Sequence, residues 1–369
     1  MRMRSLWVAA VCSLGLMVPA WAQIKIGQTA GFSGPVAAGV KEITDGAKLY
    51  FDAVNARGGV GGQKIELISL DDKFDPKLAA ANAEKLIGQG VLALFLTRGT
   101  PHTEAVLPLL AQHRLALVAP STGAMLLHEP VNKHVFNVRA TYQREAERAI
   151  QHLVATGVTR IALLHVDDSF GTDSAAGALR GLQQAKLQAV AQLTFPRVKP
   201  ELGPLIAQVV KADTQAVLFI GTGDAVSSGL KLLRAAGSSA QLLTLSNNAS
   251  SGFIKQLGEQ ARGVVISQVF PSERSMGTPM VREARELAAA AGRAELTPAN
   301  LEGFAAAKVL VTALGKAGKE PSRASLLKAL DGLGKIDLGG LELSFSPNDH
   351  TGLDYADLSI VGPDGKFWR

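Results

Sequence analysis

Short apolar or β-branched runs alternate along this chain with longer segments whose apolar residues recur at helical spacing. Strands are predicted at Ile24 to Gln28, Lys64 to Leu70, Leu92 to Leu96 and Leu115 to Ala119. A second series follows at Ile161 to Val166, Gln188 to Phe195, Ala216 to Ile220, Gln241 to Leu245 and Val264 to Phe270. Strands this short, separated by helical segments, are the signature of βαβ units and parallel sheets. Asp75-Pro76 and Thr297-Pro298 each place an N-cap before a first-turn proline, and Gly88, Gly157 and Gly237 suit positions just past helix ends. From Pro298 to about Lys316, Leu301, Phe304, Ala305, Val309 and Ala313 line up as one apolar stripe, predicting a helix with a single face on a core. Two similar series in one chain predict an α/β protein of two lobes.

Composition narrows the class. The 369 residues are 47% hydrophobic, enough for two domains of about 150 residues each. The net charge of +6 is spread along the chain without a basic block, whereas a nucleic-acid footprint is clustered, so no nucleic-acid partner is expected. Arg2 and Arg4 precede an apolar run from Leu6 to Val18, then Pro19 and Ala20-Trp21-Ala22. That order predicts a signal peptide over residues 1–22, cleaved after Ala22, and a periplasmic location. The run of about 14 apolar residues is too short to cross a hydrocarbon core of ~30 Å. Cys12, the sole cysteine, lies within it, so the exported chain is expected to lack disulfides and to rely on core burial.

Familiar catalytic signatures are absent. The sequence contains no H-E-x-x-H, no P-loop, no G-x-S-x-G and no Cys/His cluster, so neither a metal nor a cofactor is expected. Gly221-Thr222-Gly223 follows a strand and opens a helix, but Val226 stands where a dinucleotide loop needs its third glycine. It is predicted to be a tight turn. Asp71-Asp72 and Asp167-Asp168 end strands where α/β sheets bind ligands. Adjacent residues on a strand face opposite ways, which favours caps or rim groups over a catalytic pair. His102 and His165 are scattered, and lone histidines of this kind are more often structural.

Two loops carry binding chemistry instead. Thr97-Arg98-Gly99-Thr100-Pro101-His102-Thr103 combines a glycine, hydroxyls and a helix start, where free N–H groups favour a carboxylate. Ala119-Pro120-Ser121-Thr122-Gly123-Ala124 repeats these elements after the next strand. Arg98 either clamps the carboxylate or extends into solvent. Simple helix capping is the competing explanation for the Ser and Thr residues.

Phe32-Ser33-Gly34-Pro35-Val36-Ala37, Gly46 to Asn55 and Gly58-Gly59-Val60-Gly61-Gly62 resemble the leucine/isoleucine/valine-binding protein family, periplasmic solute receptors of ABC importers. Asp71-Asp72, Gly99-Thr100-Pro101, Pro120 to Ala124, Phe136-Asn137-Val138-Arg139 and Asp168-Ser169-Phe170-Gly171 continue the resemblance in order. It implies the type I periplasmic binding protein fold, two Rossmann-like lobes with parallel sheets joined by a three-segment hinge. Lobe 1 would comprise residues 23–140 plus 271–346, and lobe 2 residues 141–270 plus 347–369. The crossings would fall near Asn137 to Tyr142, Gln268 to Ser272 and Ser344 to Asp349.

The resemblance further implies that Thr100 and Ser121, Thr122 and Gly123 hold a ligand carboxylate, that Phe170 packs on the ligand, and that Thr222 contacts it in place of an aromatic. In amino-acid-binding members an acid after the strand ending near Leu245 neutralises the ligand ammonium, and here that loop presents Asn247. A buried ammonium without a counter-charge costs several kcal/mol, so an organic or aromatic acid fits as well as an amino acid. The implied protein is a monomeric, non-enzymatic receptor partnered with an inner-membrane ABC permease. A ligand-sensing subunit for a signalling receptor and an exported α/β oxidoreductase are the alternatives.

Overall fold

The computed structural model of the protein describes residues 23–293 and 295–369. The expected signal peptide over residues 1–22, with Cys12, lies outside the described residues. Five parallel strands form the first sheet: β1 (Ile24–Ala30), β2 (Ile65–Asp71), β3 (Ala93–Phe95), β4 (Ala116–Val118) and β5 (Val135–Phe136), in the order β2-β1-β3-β4-β5. Helices α1 (Ala37–Ala56), α2 (Pro76–Gly88) and α3 (Thr100–His113) connect them. The chain then enters a second unit through α4 (Tyr142–Ala155). Its strands β6 (Ile161–Val166), β7 (Ala191–Phe195), β8 (Ala216–Ile220), β9 (Gln241–Thr244) and β10 (Val265–Gln268) alternate with α5 (Ser169–Gln184), α6 (Leu202–Lys211), α7 (Gly223–Ala235) and α8 (Ser251–Leu257). Strands β6 and β8 are buried at every position, as expected where helices cover both faces of a parallel sheet.

After β10 the chain returns to the first lobe as α9 (Pro279–Ala290), α10 (Pro298–Lys316), α11 (Arg323–Asp331) and the hairpin β11 (Gly334–Asp337) and β12 (Glu342–Phe345). It then adds β13 (Asp357–Val361) antiparallel to β10, and β14 (Phe367–Trp368), completing a second sheet of seven strands. The fold is therefore α/β with two Rossmann-like lobes, as expected. Two details differ. Leu353 packs in the first core, and its N–H donates to the Val138 carbonyl at 3.1 Å, so the third passage follows Leu353 rather than lying within Ser344 to Asp349. The passage is later because the His350 carbonyl also accepts the Asn137 N–H, tying this segment to the first crossing.

Helix punctuation follows the sequence closely. Asp75 caps α2 through the N–H groups of Lys77 and Leu78, and Thr297 caps α10 through Asn300. Gly157 and Gly237 adopt positive φ past α4 and α7, but Gly88 is still helical and Gly90, at φ 80°, makes the left-handed turn after α2. Helix α10 is buried on nearly all sides rather than along one stripe, because α1, α9 and α11 surround it. It meets α1 at paired glycines. A Cβ on Gly303 would stand 1.8 Å from the Ile43 carbonyl oxygen, and one on Gly46 would stand 2.0 Å from that of Asn300. Across the cleft, α1 meets α8, where a Cβ on Gly252 would stand 2.3 Å from the Cβ of Ala38.

Candidate functional site

The carboxyl ends of both sheets face each other, the position where ligands enter open α/β folds. Between them lies a narrow cavity of about 20 Å³. Val36, Phe74, Arg98, Gly99 and Thr100 line it from the first lobe; Tyr142, Phe170, Arg197, Thr222 and Asn247 line it from the second.

The first-lobe wall is shaped by turns that L-residues adopt at a cost. Leu96 and Ala119 leave β3 and β4 with φ of 51° and 52°, bending the chain so that Arg98 and Ser121 meet in an isolated parallel bridge. Lys73 and Phe74 after β2 are left-handed too. The paired aspartates hold this turn: Asp71 accepts the N–H of Lys73, and Asp72 accepts that of Phe74, each at 2.9 Å. Their work is thus to place Phe74 in the cavity wall. Burial raises the Asp72 pKa from 3.8 to about 6. Phe74 stacks on His102 at 4.1 Å between centroids, and burial lowers the pKa of that imidazole to about 4, so it is a neutral ring at pH 7.

Arg98 is the central polar group. Although 5% exposed, it forms no ion pair among the described residues. Its Nη1 donates to Ser121 Oγ at 2.8 Å, and its Nη2 donates across the cleft to the Asn247 carbonyl at 2.6 Å. The Ser121 hydroxyl in turn donates to Glu302 Oε1 at 2.7 Å. Glu302 stands 3.7 Å from Arg139, which pairs with Glu145 and donates to Ser246 Oγ. Glu145 also accepts the Ser246 N–H and the Ser267 hydroxyl. Burial opposes the charge on Arg139, but the carboxylates of Glu145 and Glu302 outweigh it and keep the guanidinium ionised. A buried cation with such partners is fixed in place. The network therefore ties the first crossing, both lobes and Arg98 into one array.

The second-lobe wall is aromatic and small. Tyr142 meets Phe170 edge-on at 4.7 Å and lies under Arg139, and burial raises its pKa, so it stays a neutral phenol. Asp168 caps α5 through Phe170 and Gly171 and pairs with Arg197, whose guanidinium lies 5.2 Å from the Phe74 ring across the cleft. The cap expectation for Asp168 holds. Thr222 caps α7, consistent with a tight turn at Gly221-Thr222-Gly223.

Of the residues singled out from the sequence, Arg98, Thr100, Phe170, Thr222 and Asn247 line one cavity. Ser121, Thr122 and Gly123 lie one layer behind. Ser121 carries Arg98, and the Thr122 hydroxyl shares a 2.7 Å hydrogen bond with that of Thr100. Gly123 lets the first crossing pass: its carbonyl accepts the Tyr142 N–H, and a Cβ there would stand 2.5 Å from the Ala140 carbonyl oxygen. The loop opens onto a 3₁₀ turn, Met125–Leu127, rather than a helix like that at Thr100. Phe74, Tyr142 and Arg197 are lining residues that sequence reasoning did not reach. For the first two a signal existed, since each lies within three residues of a motif, Asp71-Asp72 and Phe136 to Arg139. Among the described residues no cluster of three or more His, Cys, Asp or Glu is placed to hold a metal ion, and no helix is long and apolar enough to cross a membrane.

Residues 23–362 match the sequence profile of a periplasmic binding protein family. The Leu/Ile/Val-binding protein of Citrobacter freundii is 25% identical over 264 residues, 71% of this chain and 72% of that protein. A substrate-binding periplasmic protein from Ralstonia solanacearum is 33% identical, superposes with a TM-score of 0.86, and shares 94% of this chain and 99% of its own. A possible leucine/isoleucine/valine-binding protein from Rhodopirellula baltica is 28% identical with a TM-score of 0.88, covering 94% and 96%. With a profile match spanning both lobes and a two-lobed fold around an interlobe cavity, the chain belongs to the periplasmic binding protein family, of the type represented by the Leu/Ile/Val-binding proteins.

Proposed function

We propose that this protein is a periplasmic solute receptor of an ABC importer. It captures a small carboxylate-bearing solute, an amino acid or an organic or aromatic acid, between its lobes by hinge closure and presents the closed form to an inner-membrane permease. The observation that carries the carboxylate is Arg98, a buried guanidinium facing the cavity without a carboxylate partner of its own. Thr100, at the start of α3, adds a hydroxyl and a helix N-terminus on the same side. Tyr142, Phe170 and Phe74 supply apolar walls for the rest of the solute.

Closure is a population shift: a ligand touching both lobes binds the closed form better, and that difference moves the equilibrium. The absence of any recognised catalytic constellation in the sequence agrees with a binding role, as do the names of the relatives. The test is a thermal-shift and calorimetric panel on protein refolded to remove carried-over solute. Amino acids, aliphatic acids, aromatic acids and amides serve as ligands, with Arg98→Ala beside the wild type. A ligand at about 100 times its Kd adds ~2.7 kcal/mol of stability. Binding of carboxylates that is lost in Arg98→Ala supports the reading; binding confined to amides, or indifferent to Arg98, overturns it.

A further inference from the structure

Asn247 carries the one unsatisfied polar atom that the described cavity-lining side chains share with the buried interior. Its Nδ2 donates to the Gly221 carbonyl at 2.9 Å and to Asn248 Oδ1 at 3.1 Å. A backbone carbonyl only accepts, so the amide nitrogen faces Gly221 and the orientation of the side chain follows. Its Oδ1 is thereby left buried, and no described protein group donates to it. A buried acceptor without a donor is costly, and a ligand that supplies the donor recovers that cost.

The charge around this oxygen decides which donor fits. The residues lining the cavity include two guanidiniums, Arg98 and Arg197, and no carboxylate; Asp224, in the adjoining cleft that Arg98 and Asn247 also line, is exposed and accepts from Gln256 at 2.6 Å. Asp168 pairs with Arg197, and Glu302 is reached from Arg98 only through Ser121. An ammonium placed here would lose its water and face two cations, with only neutral oxygens to receive its three N–H donors. A hydroxyl needs only one acceptor and brings no charge. Moreover, Arg98 donates to the backbone carbonyl of Asn247 itself, so the guanidinium and the residue that carries the free acceptor are direct neighbours.

We propose that the solute is a hydroxy acid, its carboxylate on Arg98 and a hydroxyl on the neighbouring carbon donating to Asn247 Oδ1. Asn247 is then the residue that discriminates against the matching amino acid. This rests on the reading that Arg98 takes a carboxylate.

The experiment compares matched ligands by calorimetry on refolded protein. The sets are propionate, lactate and alanine; 4-methylpentanoate, 2-hydroxy-4-methylpentanoate and leucine; and 3-phenylpropionate, 3-phenyllactate and phenylalanine. In the set whose skeleton fits, the hydroxy acid is expected to bind at least tenfold tighter than both companions. Asn247→Ala should bring it level with the plain acid, and Asn247→Asp should turn the preference toward the amino acid. If a variant does not fold, the wild-type order decides alone. An amino acid bound tightest, or a plain acid bound as tightly as the hydroxy acid, overturns the proposal while leaving the role of Arg98 standing. No binding in any set, with amides binding instead, removes the carboxylate reading and this proposal with it.

Discussion

Glu42 on α1 grips the start of α8 across the cleft: its carboxylate accepts the Ser251 hydroxyl at 2.6 Å and the Ser251 N–H at 3.0 Å. The neighbouring Gly252 N–H adds a third bond at 3.0 Å. Negative charge at a helix N-terminus is favourable, and here it joins two lobes. Neither Glu42 nor Ser251 lines the cavity around Arg98. Glu42→Ala should therefore weaken solute binding by about 1–2 kcal/mol, in the range of a hydrogen bond to a charged group, through faster release. Stopped-flow dissociation and small-angle scattering of the ligand-free protein check this. Unchanged release and an unchanged radius would show that the grip does not contribute to closure.

Arg98→Lys separates charge from shape. Lysine keeps the charge but not the planar fork that reaches Ser121 and Asn247 together. Carboxylate affinity should fall by about 1.5–3 kcal/mol in Arg98→Ala and by less in Arg98→Lys. Titration calorimetry with the tightest-binding acid from the panel measures both, and equal losses would mean that geometry rather than charge governs the contact.

Acid sensitivity should follow from buried histidines. Burial lowers the pKa of His102 and His128 from 6.5 to about 4. The unfolded chain takes up these protons near pH 6.5 and the folded chain only near 4, so stability falls as the pH drops through that window. Asp72 acts oppositely. Its pKa is raised from 3.8 to about 6, so the folded state takes up a proton first and gains stability relative to the unfolded chain as the pH falls from 6 toward 4. Asp72→Asn removes this offset and should make the decline in Tm between pH 6.5 and 4 steeper than in the wild type. A parallel or shallower decline would count against it.

The Arg139–Glu145 pair is buried on all sides, and removing one partner leaves the other charge uncompensated. Glu145→Ala or Arg139→Ala should each cost about 3–5 kcal/mol, whereas replacing both with apolar residues of similar volume should restore much of the loss. Denaturant unfolding of the single and double variants tests this, and additive losses would contradict it.

Gly303→Ala should be among the most damaging small substitutions. The added methyl would meet the backbone of Ile43, which cannot swing aside as a side chain can. A loss of about 1–3 kcal/mol is expected from overpacking, read as a drop in Tm. Gly315→Ala on the same helix, with open space around it, serves as the control.

Period and punctuation were enough to read every parallel strand except the two-residue β5, because a strand buried on both faces, such as β6, is written as an unbroken apolar run. The caps at Asp75 and Thr297 were legible for the same local reason. The late third passage was not, since it depends on His350 and Leu353 bonding to residues over two hundred positions away. At the site, the resemblance marked the loops around Thr100 and Ser121, yet Ser121 and Thr122 turned out to support Arg98 and Thr100 from behind. Whether these hydroxyls face the cavity or lie behind its wall depends on a bend at Ala119 that no spacing rule announces. Arg139, Glu145 and Glu302 were invisible as a group, because nothing in a linear sequence links three charges carried on a crossing and two helices.

The crossing topology also sets an order of assembly. Helix α1 near the start of the chain finds its packing partner only in α10, and β10 gains its outer neighbour only when β13 has been made. A nascent chain thus carries exposed apolar surface in both halves until its last segments emerge, and such long-range closure is slow. The interval before that closure is the period in which chaperones, or machinery that moves unfolded polypeptide across a membrane, can engage the chain.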